Sequence, residues 1–455
     1  MKVVDPATGR GFDTVLDDTP ETIAAKVDAA RSAQPAWAAR PLDERVAILA
    51  RFRGWLADQA GQLAATLTSE TGKPIDQSRS ELAGTLPRLD FFLDHAAEVL
   101  ADQQVYTDDG LTEVISHEPL GVIANISAWN YPYFVGSNVF VPALLAGNAV
   151  LYKPSEHAAL TGLAIASMLG DAGVPIDAFA VVSGDGSTGA ELLRLDLDGI
   201  FFTGSYRTGR AIAEGAAGRM IPVQLELGGK DPAYVCDDVD VAAAAASLAD
   251  GAFYNTGQSC CSVERILVHQ GVHDEFVARF LDVVDTFVLG DPTDEGTYIG
   301  PLTRPEQVEV LEAQVADAVA RGATLMRGGH RVAGRPDGWF EPTVLVGVDH
   351  SMAVMRDESF GPIIGIEAVA DDDAAVAAMT DTDYGLTAAV YGRDPGRARA
   401  ILERLDVGSA YWNCCDRVSP RLPWSGRGHS GLGTTLSTYG LLTFTHPKAW
   451  HLRRA

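Results

Sequence analysis

The 455-residue chain lacks long apolar runs, a cysteine framework and an excess of basic residues. No run of about 18 apolar residues occurs, so no membrane-spanning helix is expected. Five cysteines are few for this length, and four of them form two adjacent pairs, unlike the disulfide framework of a secreted protein. The N-terminal residues form no apolar signal segment. A cytoplasmic, reducing environment is therefore expected.

Acidic residues dominate the charge of the chain. Lys and Arg number 35 and Asp and Glu number 61, giving a formal net charge of −26. This excess opposes binding to nucleic acid and to anionic membranes, so neither is expected as a partner. It is typical of a solvated surface, with adaptation to salt as the alternative. The chain is 47% hydrophobic and 21% charged, which excludes disorder, and its length predicts about two or three domains.

Hydrophobic periodicity divides the chain into a helical start and an alternating remainder. The first hundred residues show helical patterns over 18–37, 42–69 and 75–101. Short β-rich runs follow at 111–117, 122–126, 148–152, 179–182, 199–203 and 223–227. A second set lies at 233–236, 265–268, 343–346, 364–369 and 388–391, with helical patterns over 272–288 and 305–321 and an extended end over 442–452. This alternation predicts an α/β fold built from βαβ units on parallel sheets.

Two glycine-containing turns each follow a predicted strand and open a helix. The first, 184–189 (GDGSTG), matches G-x-G-x-x-G, and the second is 202–209 (FTGSYRTG). A helix N-terminus offers free N–H groups and the positive end of its dipole to a pyrophosphate. The first match is equally what a tight strand-to-helix turn produces. Two such turns on one sheet favour a dinucleotide site.

Adjacent thiols, Cys260 and Cys261, lie in the polar segment 255–262. A cysteine in a reducing compartment is often only a small buried hydrophobe. A thiolate nucleophile needs a nearby proton acceptor or positive dipole, and the residues alone do not show which group supplies it. Neither pair of cysteines has the spacing of metal ligands, so no metal is expected.

The chain resembles the aldehyde dehydrogenase superfamily through six motifs in the family's order. They are 128–132 (AWNYP), 152–156 (YKPSE), 202–205 (FTGS), 225–230 (LELGGK), 257–260 (GQSC) and 358–362 (ESFGP). The opening 5–9 (DPATG) also resembles the family's start, so the resemblance spans nearly the whole chain. Six ordered motifs carry far more weight than any one of them.

The resemblance implies three structural parts. A Rossmann-like cofactor domain is expected over 1–99 and 119–227, and an α/β catalytic domain over 228–440. A small β element, formed by 100–118 and 441–455, is expected to mediate assembly into a homodimer or homotetramer. In such an element the exposed strand edges pair with a partner's sheet.

The resemblance also implies the catalytic residues. Cys260 would attack the aldehyde carbon, with Cys261 as a bystander, and Asn130 and the Cys260 backbone N–H would stabilise the oxyanion. Glu226 would activate the water that hydrolyses the thioester. The implied activity is NAD(P)+-dependent oxidation of an aldehyde to a carboxylate. The alternatives are a coenzyme A-acylating dehydrogenase, which the base at Glu226 disfavours, and a non-catalytic member, which the three intact residues disfavour.

Nine residues are expected at the cofactor by the same resemblance. They are Trp129, Lys153, Glu156, Gly186, Gly204, Ser205, Leu227, Glu358 and Phe360. Lys153 and Glu156 would bind the adenine ribose, Ser205 the pyrophosphate, and Glu358 and Phe360 the nicotinamide riboside. NAD is favoured, because a 2′-phosphate would meet the Glu156 carboxylate. Lys153 offsets part of that repulsion, so NADP stays an alternative.

The substrate pocket is expected to contain three aromatic side chains and few polar ones. Its predicted residues are Tyr131, Phe134, Asn138, Ser259, Val418 and Trp424. This composition favours an apolar or aromatic aldehyde as the small-molecule partner.

Departures from the family bear on substrate and proton transfer. Asn138 stands where relatives that oxidise succinate semialdehyde have Arg, and a buried carboxylate without a cation is costly. Distal carboxylates are therefore disfavoured, although Arg417 and Arg421 leave a semialdehyde with a distal anionic group as an alternative. Val139 stands where many members have Lys, and 431–435 (GLGTT) lacks the family's acid. Two proton-relay groups are thus missing.

Overall fold

The computed structural model describes residues 1–454. The α-helices are α1 (Pro20–Ala38), α2 (Leu42–Asp58), α3 (Ala60–Thr71), α4 (Ile75–Val99), α5 (Pro132–Ala146), α6 (Ala159–Ala172), α7 (Gly186–Leu192), α8 (Tyr206–Ala216), α9 (Val241–Phe253), α10 (His273–Val284), α11 (Gln307–Ala320), α12 (Ala353–Arg356), α13 (Asp372–Thr380), α14 (Pro395–Leu402) and α15 (Ser437–Leu442). Two short 3-10 turns lie at Glu156–Ala158 and Tyr254–Gly257.

The strands fall into two large and three small sheets. They are β1 (Lys2–Asp5), β2 (Arg10–Thr14), β3 (Gln103–Thr107), β4 (Leu111–Pro119), β5 (Val122–Ile126), β6 (Ala149–Lys153), β7 (Phe179–Val181), β8 (Gly199–Thr203), β9 (Val223–Glu226), β10 (Asp231–Val235), β11 (Val263–His269), β12 (Thr324–Arg327), β13 (Thr343–Val346), β14 (Ile363–Val369), β15 (Tyr384–Gly385), β16 (Thr387–Tyr391), β17 (Ser409–Trp412), β18 (Arg427–Gly428), β19 (Gly431–Leu432) and β20 (Thr445–Arg453).

The first large sheet has the order β19-β9-β8-β5-β6-β7, and only β19 is antiparallel to its neighbour. Its central strand β5 is buried along its whole length. Alternate residues of a strand point to opposite faces. Ile123 accordingly packs in the cluster with α2 to α6, while Ala124 packs in the cluster with α1 and α8. Helices on both faces explain why the strands are apolar runs rather than alternating ones.

The second large sheet has the order β12-β13-β14-β11-β10-β16-β17, with β12 as its antiparallel edge. Apolar clusters cover its two faces, one built on α9 and α10 and the other on α13 and α14. The chain enters this sheet directly from β9 through residues 227–230. The segment that carries Cys260 leads from α9 into β11.

A third, antiparallel sheet has the order β20-β4-β3. β20 pairs with β4 from Thr445 opposite Pro119 to Arg453 opposite Leu111. It therefore joins the segments predicted as the assembly element, of which residue 455 lies outside the described residues. The domain boundaries and the assembly role stay predictions.

The structure corrects three of the secondary-structure predictions. Residues 2–14 form the hairpin β1–β2 ahead of the first helix, whereas only helices were predicted there. The predicted helix over 42–69 is two helices, because Gln59 leaves the helical conformation at φ −99° and ψ 8° while the apolar spacing continues past it. The helix predicted over 272–288 ends at Val284. Within residues 1–454, no helix is both long enough and apolar enough to cross a membrane.

Candidate active site

The thiol segment follows α9 through a strained turn. Asn255 and Thr256 adopt left-handed backbone conformations with φ of 54° and 57°. Cys260 is half-buried, whereas Cys261 is only 4% exposed and its Sγ donates to Asp416 Oδ1 at 3.0 Å. The contact with Cys260, burial and the Asp416 carboxylate together raise the pKa of Cys261 well above its usual value. Of the two cysteines, Cys260 is the more exposed.

The side-chain amide of Asn130 lies against the same segment. Its Nδ2 donates to the Gln258 carbonyl at 3.1 Å, two residues before Cys260. The main-chain carbonyl of Asn130 accepts hydrogen bonds from Lys73 Nζ at 2.7 Å and from Asn255 Nδ2 at 3.2 Å. Lys73 is itself paired with the buried carboxylate of Glu81. These contacts fix the amide donor beside the thiol segment.

Glu226 ends β9 with its carboxyl group buried. The Thr435 hydroxyl donates to Glu226 Oε1, and Gln224 Nε2 donates to the same atom at 3.4 Å. Burial raises the pKa of Glu226, while the Thr435 hydrogen bond and the charge of Arg88 oppose that rise. A carboxylate with a raised pKa is a stronger base towards water than an exposed one. Thr435 comes from the very segment that lacks the family's acid.

A cleft of about 980 Å³ opens over the N-terminus of α8. Six of the nine predicted cofactor residues line it, namely Trp129, Lys153, Glu156, Gly186, Gly204 and Ser205. The Ser205 side chain caps α8 by accepting from Thr208 N at 3.4 Å. Three arginines that were not anticipated, Arg194, Arg207 and Arg304, also line the cleft. Its size and positive charges suit a dinucleotide phosphate.

Lys153 gives a more specific indication of a bound group. Its side chain is buried, and among residues 1–454 its ammonium donates only to the Pro154 carbonyl at 3.3 Å. A buried ammonium group with free N–H donors is costly unless a ligand satisfies them. Ribose hydroxyls or a phosphate would do so, and NAD(P) therefore fits the residues that line the cleft.

The other three predicted cofactor residues lie outside the cleft lining. Glu358 accepts from Gly229 N at 3.2 Å, and burial together with the nearby Glu264 raises its pKa to about 8. Phe360 meets the Trp129 ring edge-on, with centroids 5.7 Å apart. A Cβ added to Gly209 of α8 would lie only 2.5 Å from Leu227 Cδ2. The Leu227 side chain, which directly follows β9, therefore packs closely against α8.

The predicted substrate-pocket residues lie in aromatic, apolar and polar surroundings. Tyr131 and Phe134 stack with ring centroids 5.6 Å apart and planes 8° from parallel. Trp424 and Val418 belong to the apolar cluster that also contacts Cys260. Ser259 is buried, and its Oγ lies 3.6 Å from Cys261 Sγ.

The predicted pocket residue Asn138 contacts a cation that the sequence reasoning did not name. Arg88 of α4 donates from Nη1 to Asn138 Oδ1 at 3.3 Å. Its guanidinium carbon also lies 3.9 Å from the centre of the Phe134 ring. Position 138 thus lacks the arginine of the succinate-semialdehyde relatives, but another arginine, Arg88, lies beside it.

Comparison with known proteins decides the family. A family model described as the aldehyde dehydrogenase family matches residues 1–450. The chain belongs to the aldehyde dehydrogenase family. The resemblance, the α/β fold and the enzyme class predicted from the sequence are thereby confirmed.

Individual relatives of this aldehyde dehydrogenase are similar over nearly their whole length. A succinate-semialdehyde dehydrogenase [NADP(+)] from Deinococcus radiodurans is 35% identical, covering 98% of this chain and 93% of the relative. A betaine aldehyde dehydrogenase from Rhizobium etli is 34% identical, covering 97% of this chain and 92% of the relative. Among solved structures, PnpE in complex with nicotinamide adenine dinucleotide has a TM-score of 0.96 at 31% identity, covering 99% of this chain and 94% of the other.

Sequence reasoning missed the charged residues that α4 and the segment before it supply. Glu81 and Arg88 are seven residues apart on α4, so they share one face with the buried Leu82 and Leu89. Charged residues on an apolar helix face are rarely buried without a partner. That spacing was the signal that could have placed both residues at the site.

Proposed function

We propose that this aldehyde dehydrogenase oxidises an aldehyde to its carboxylic acid with NAD(P)+ through a thioester on Cys260. An aldehyde, NAD(P)+ and water give a carboxylate, NAD(P)H and two protons. The observation that carries the proposal is the Asn130 amide held against the segment of the half-buried Cys260, together with a buried carboxyl group at Glu226. Arg88 is electrostatically coupled to both Glu226 and Cys260, which supports placing these two groups in one site.

Acylation uses the thiol and the two oxyanion donors. The Cys260 thiolate forms a carbon–sulfur bond with the aldehyde carbon, and the carbonyl π electrons move to oxygen. The Asn130 amide and the Cys260 backbone N–H donate to that oxyanion, which favours its formation. NAD(P)+ held in the cofactor cleft would supply the hydride acceptor for the tetrahedral carbon. The oxyanion then reforms the carbonyl and leaves a thioester on Cys260.

Deacylation uses Glu226 as a general base. Its carboxylate removes a proton from water, and the resulting hydroxide adds to the thioester carbon. The carbon–sulfur bond breaks, and Cys260 leaves as a thiolate ready for the next turnover. A base at this position supports hydrolysis over transfer to coenzyme A, which is itself the nucleophile and needs no activated water.

Production of NADH from a panel of aldehydes, with and without coenzyme A, tests this proposal. The absorbance of NADH should rise with at least one aldehyde, and mass spectrometry should identify the free acid as the product. Coenzyme A should leave the rate unchanged. Formation of an acyl-coenzyme A, or no NADH with any aldehyde and either cofactor, would contradict it.

A further inference from the structure

Arg88 is a buried cation without an acidic partner. Its side chain is 6% exposed, and no carboxylate within residues 1–454 forms an ion pair with it. Its only hydrogen bond in this range is the one from Nη1 to Asn138 Oδ1. Burial of an arginine is costly unless its N–H groups are satisfied, because each unpaired donor has lost its water.

The free donors of Arg88 are not sealed in the core. Some side-chain N and O atoms within residues 1–454 are fully buried and have no hydrogen-bond partner. The nitrogens of Arg88 and the amide nitrogen of Asn138 are not among them. The unpaired N–H groups of both residues therefore face space that water can enter. Arg88 and Asn138 thus present a pair of adjacent free donors.

This space belongs to the candidate substrate pocket. The guanidinium covers the Phe134 ring, and Phe134 stacks in turn on Tyr131, next to the oxyanion donor Asn130. The charge of Glu226 acts on Arg88 more strongly than that of any other group. The free donors therefore lie within the electrostatic reach of the reacting groups.

We propose that Arg88, with Asn138, binds a carboxylate at the far end of the aldehyde substrate. The preferred substrates are then ω-oxo acids, which carry an aldehyde at one end of the chain and a carboxylate at the other. This inference rests on the proposed function, which it makes more specific. A guanidinium presents parallel N–H donors that match the two oxygens of a carboxylate, and partial burial strengthens the attraction.

The remaining properties of Arg88 agree with an anchoring role. Burial lowers its pKa to about 10, so the guanidinium stays protonated at neutral pH. The face of Phe134 holds the planar guanidinium in one orientation, which lowers the entropy lost on binding.

Substrate pairs of equal length measure the contribution of the carboxylate. The probes are 4-oxobutanoate and 5-oxopentanoate, compared with butanal and pentanal. In the parent, kcat/KM should be higher for the oxo acid of each pair. In Arg88→Gln the ratio of oxo acid to alkanal should fall by about 30-fold, mainly through KM of the oxo acid. Arg88→Lys should retain part of the ratio, because the charge remains but the fork geometry is lost.

The matched control is Arg421→Gln, which removes an exposed arginine. Its ratio should equal that of the parent, and thermal unfolding should show that every variant is folded. A parent that does not favour the oxo acids would overturn the inference. So would a ratio that stays constant in Arg88→Gln, or one that falls in Arg421→Gln instead.

Binding without turnover separates this inference from the proposed function. Isothermal titration with butanedioate and butanoate should show tighter binding of the dicarboxylate by the parent, and Arg88→Gln should remove that difference. If no aldehyde yields NADH, the proposed function fails while this titration still reports on Arg88. Equal binding of the two acids by a parent that oxidises aldehydes would overturn the role of Arg88 alone.

Discussion

The protonation of Glu226 is set by groups that act against one another. Burial raises its pKa, whereas the Thr435 hydroxyl, the charge of Arg88 and Gln224 lower it. The net effect is a pKa above the ordinary 4.5. A general base acts only when deprotonated, so its activity is present above the raised pKa and is lost as the pH falls through it.

Glu226→Gln should therefore impair hydrolysis more than acylation. The variant should release one equivalent of NADH in a burst and then turn over about 100-fold more slowly than the parent, because an amide cannot accept the proton of water. Rapid-mixing kinetics across the pH range measure both phases. In the parent, the turnover rate should fall at acidic pH as Glu226 becomes protonated. In the variant, this acidic fall in turnover rate should be absent. Loss of the burst itself would mean that Glu226 acts before the thioester forms.

Glu156 tests the assignment of the cofactor cleft. Its carboxylate lines the cleft and accepts from Ser155 Oγ at 3.2 Å, close to Lys153. A 2′-phosphate would be repelled there by about 1 kcal/mol or more, so NAD+ should be preferred over NADP+. Glu156→Ala should lower the ratio of kcat/KM for NAD+ to kcat/KM for NADP+ by at least about fivefold. A parent that prefers NADP+, or an unchanged ratio, would remove Glu156 from the adenine ribose.

Residues carried by a contiguous motif could be predicted, while residues that reach the site from afar could not. Cys260, Asn130 and six of the residues that line the cofactor cleft were named from short motifs. Arg88 meets Asn138 across 50 positions, and Thr435 meets Glu226 across 209. Only tertiary packing brings such pairs together, so no local pattern identifies the partner that each residue meets.

Packing of α4 against α5 places Arg88 over the pocket. The two helices are in close contact at Gly84, where a Cβ would lie 2.9 Å from Phe134 Cζ. A methyl group there must displace the aromatic ring that supports Arg88. Gly54 in α2 offers a matched control, since a Cβ would meet nothing within 4 Å.

Gly84→Ala should lower the free energy of unfolding, because added volume in a packed site costs about 1–3 kcal/mol. Gly54→Ala should leave it unchanged or raise it by up to about 1 kcal/mol, since alanine favours helix. Denaturant unfolding of both variants gives the comparison. Equal stability of the two variants would show that α4 and α5 pack less tightly than the structure indicates.

Elements with a clear period were predictable and irregular ones were not. Apart from the edge strands β12, β17 and β19, which were not predicted, the strands of both large sheets lie within a few residues of their predicted positions, because each is an apolar run bounded by turn residues. The hairpin β1–β2 escaped prediction because its strands are short and mostly exposed, which leaves little apolar pattern. The break between α2 and α3 at Gln59 was not predicted because the helical spacing of apolar residues continues across it without interruption.

Assembly belongs to the scale of the whole molecule. The sheet β20-β4-β3 has two edge strands, and it exposes Val105, Tyr106, Trp450 and Leu452. Exposed apolar edges of this kind favour pairing with another chain. We propose that this sheet mediates a homodimer or homotetramer.

Sedimentation analysis of Val105→Lys tests that assembly. The parent should sediment as a dimer or tetramer, and the variant should shift towards the monomer, because a buried lysine without a partner opposes association. Met220→Lys is the control, since Met220 is 93% exposed outside this sheet, and its mass should equal that of the parent. A monomeric parent, or an unchanged mass in Val105→Lys, would contradict the assigned role.

The account as a whole depends on which sulfur carries the acyl group. The most direct measurement compares aldehyde oxidation by Cys260→Ser and Cys261→Ser under identical conditions. Cys260→Ser should lose activity by about 1000-fold or more, since a hydroxyl is far harder to ionise than a thiol. Cys261→Ser should retain most of it, because this thiol is buried against Asp416 and its raised pKa keeps it protonated. An active Cys260→Ser with an inactive Cys261→Ser would contradict the account.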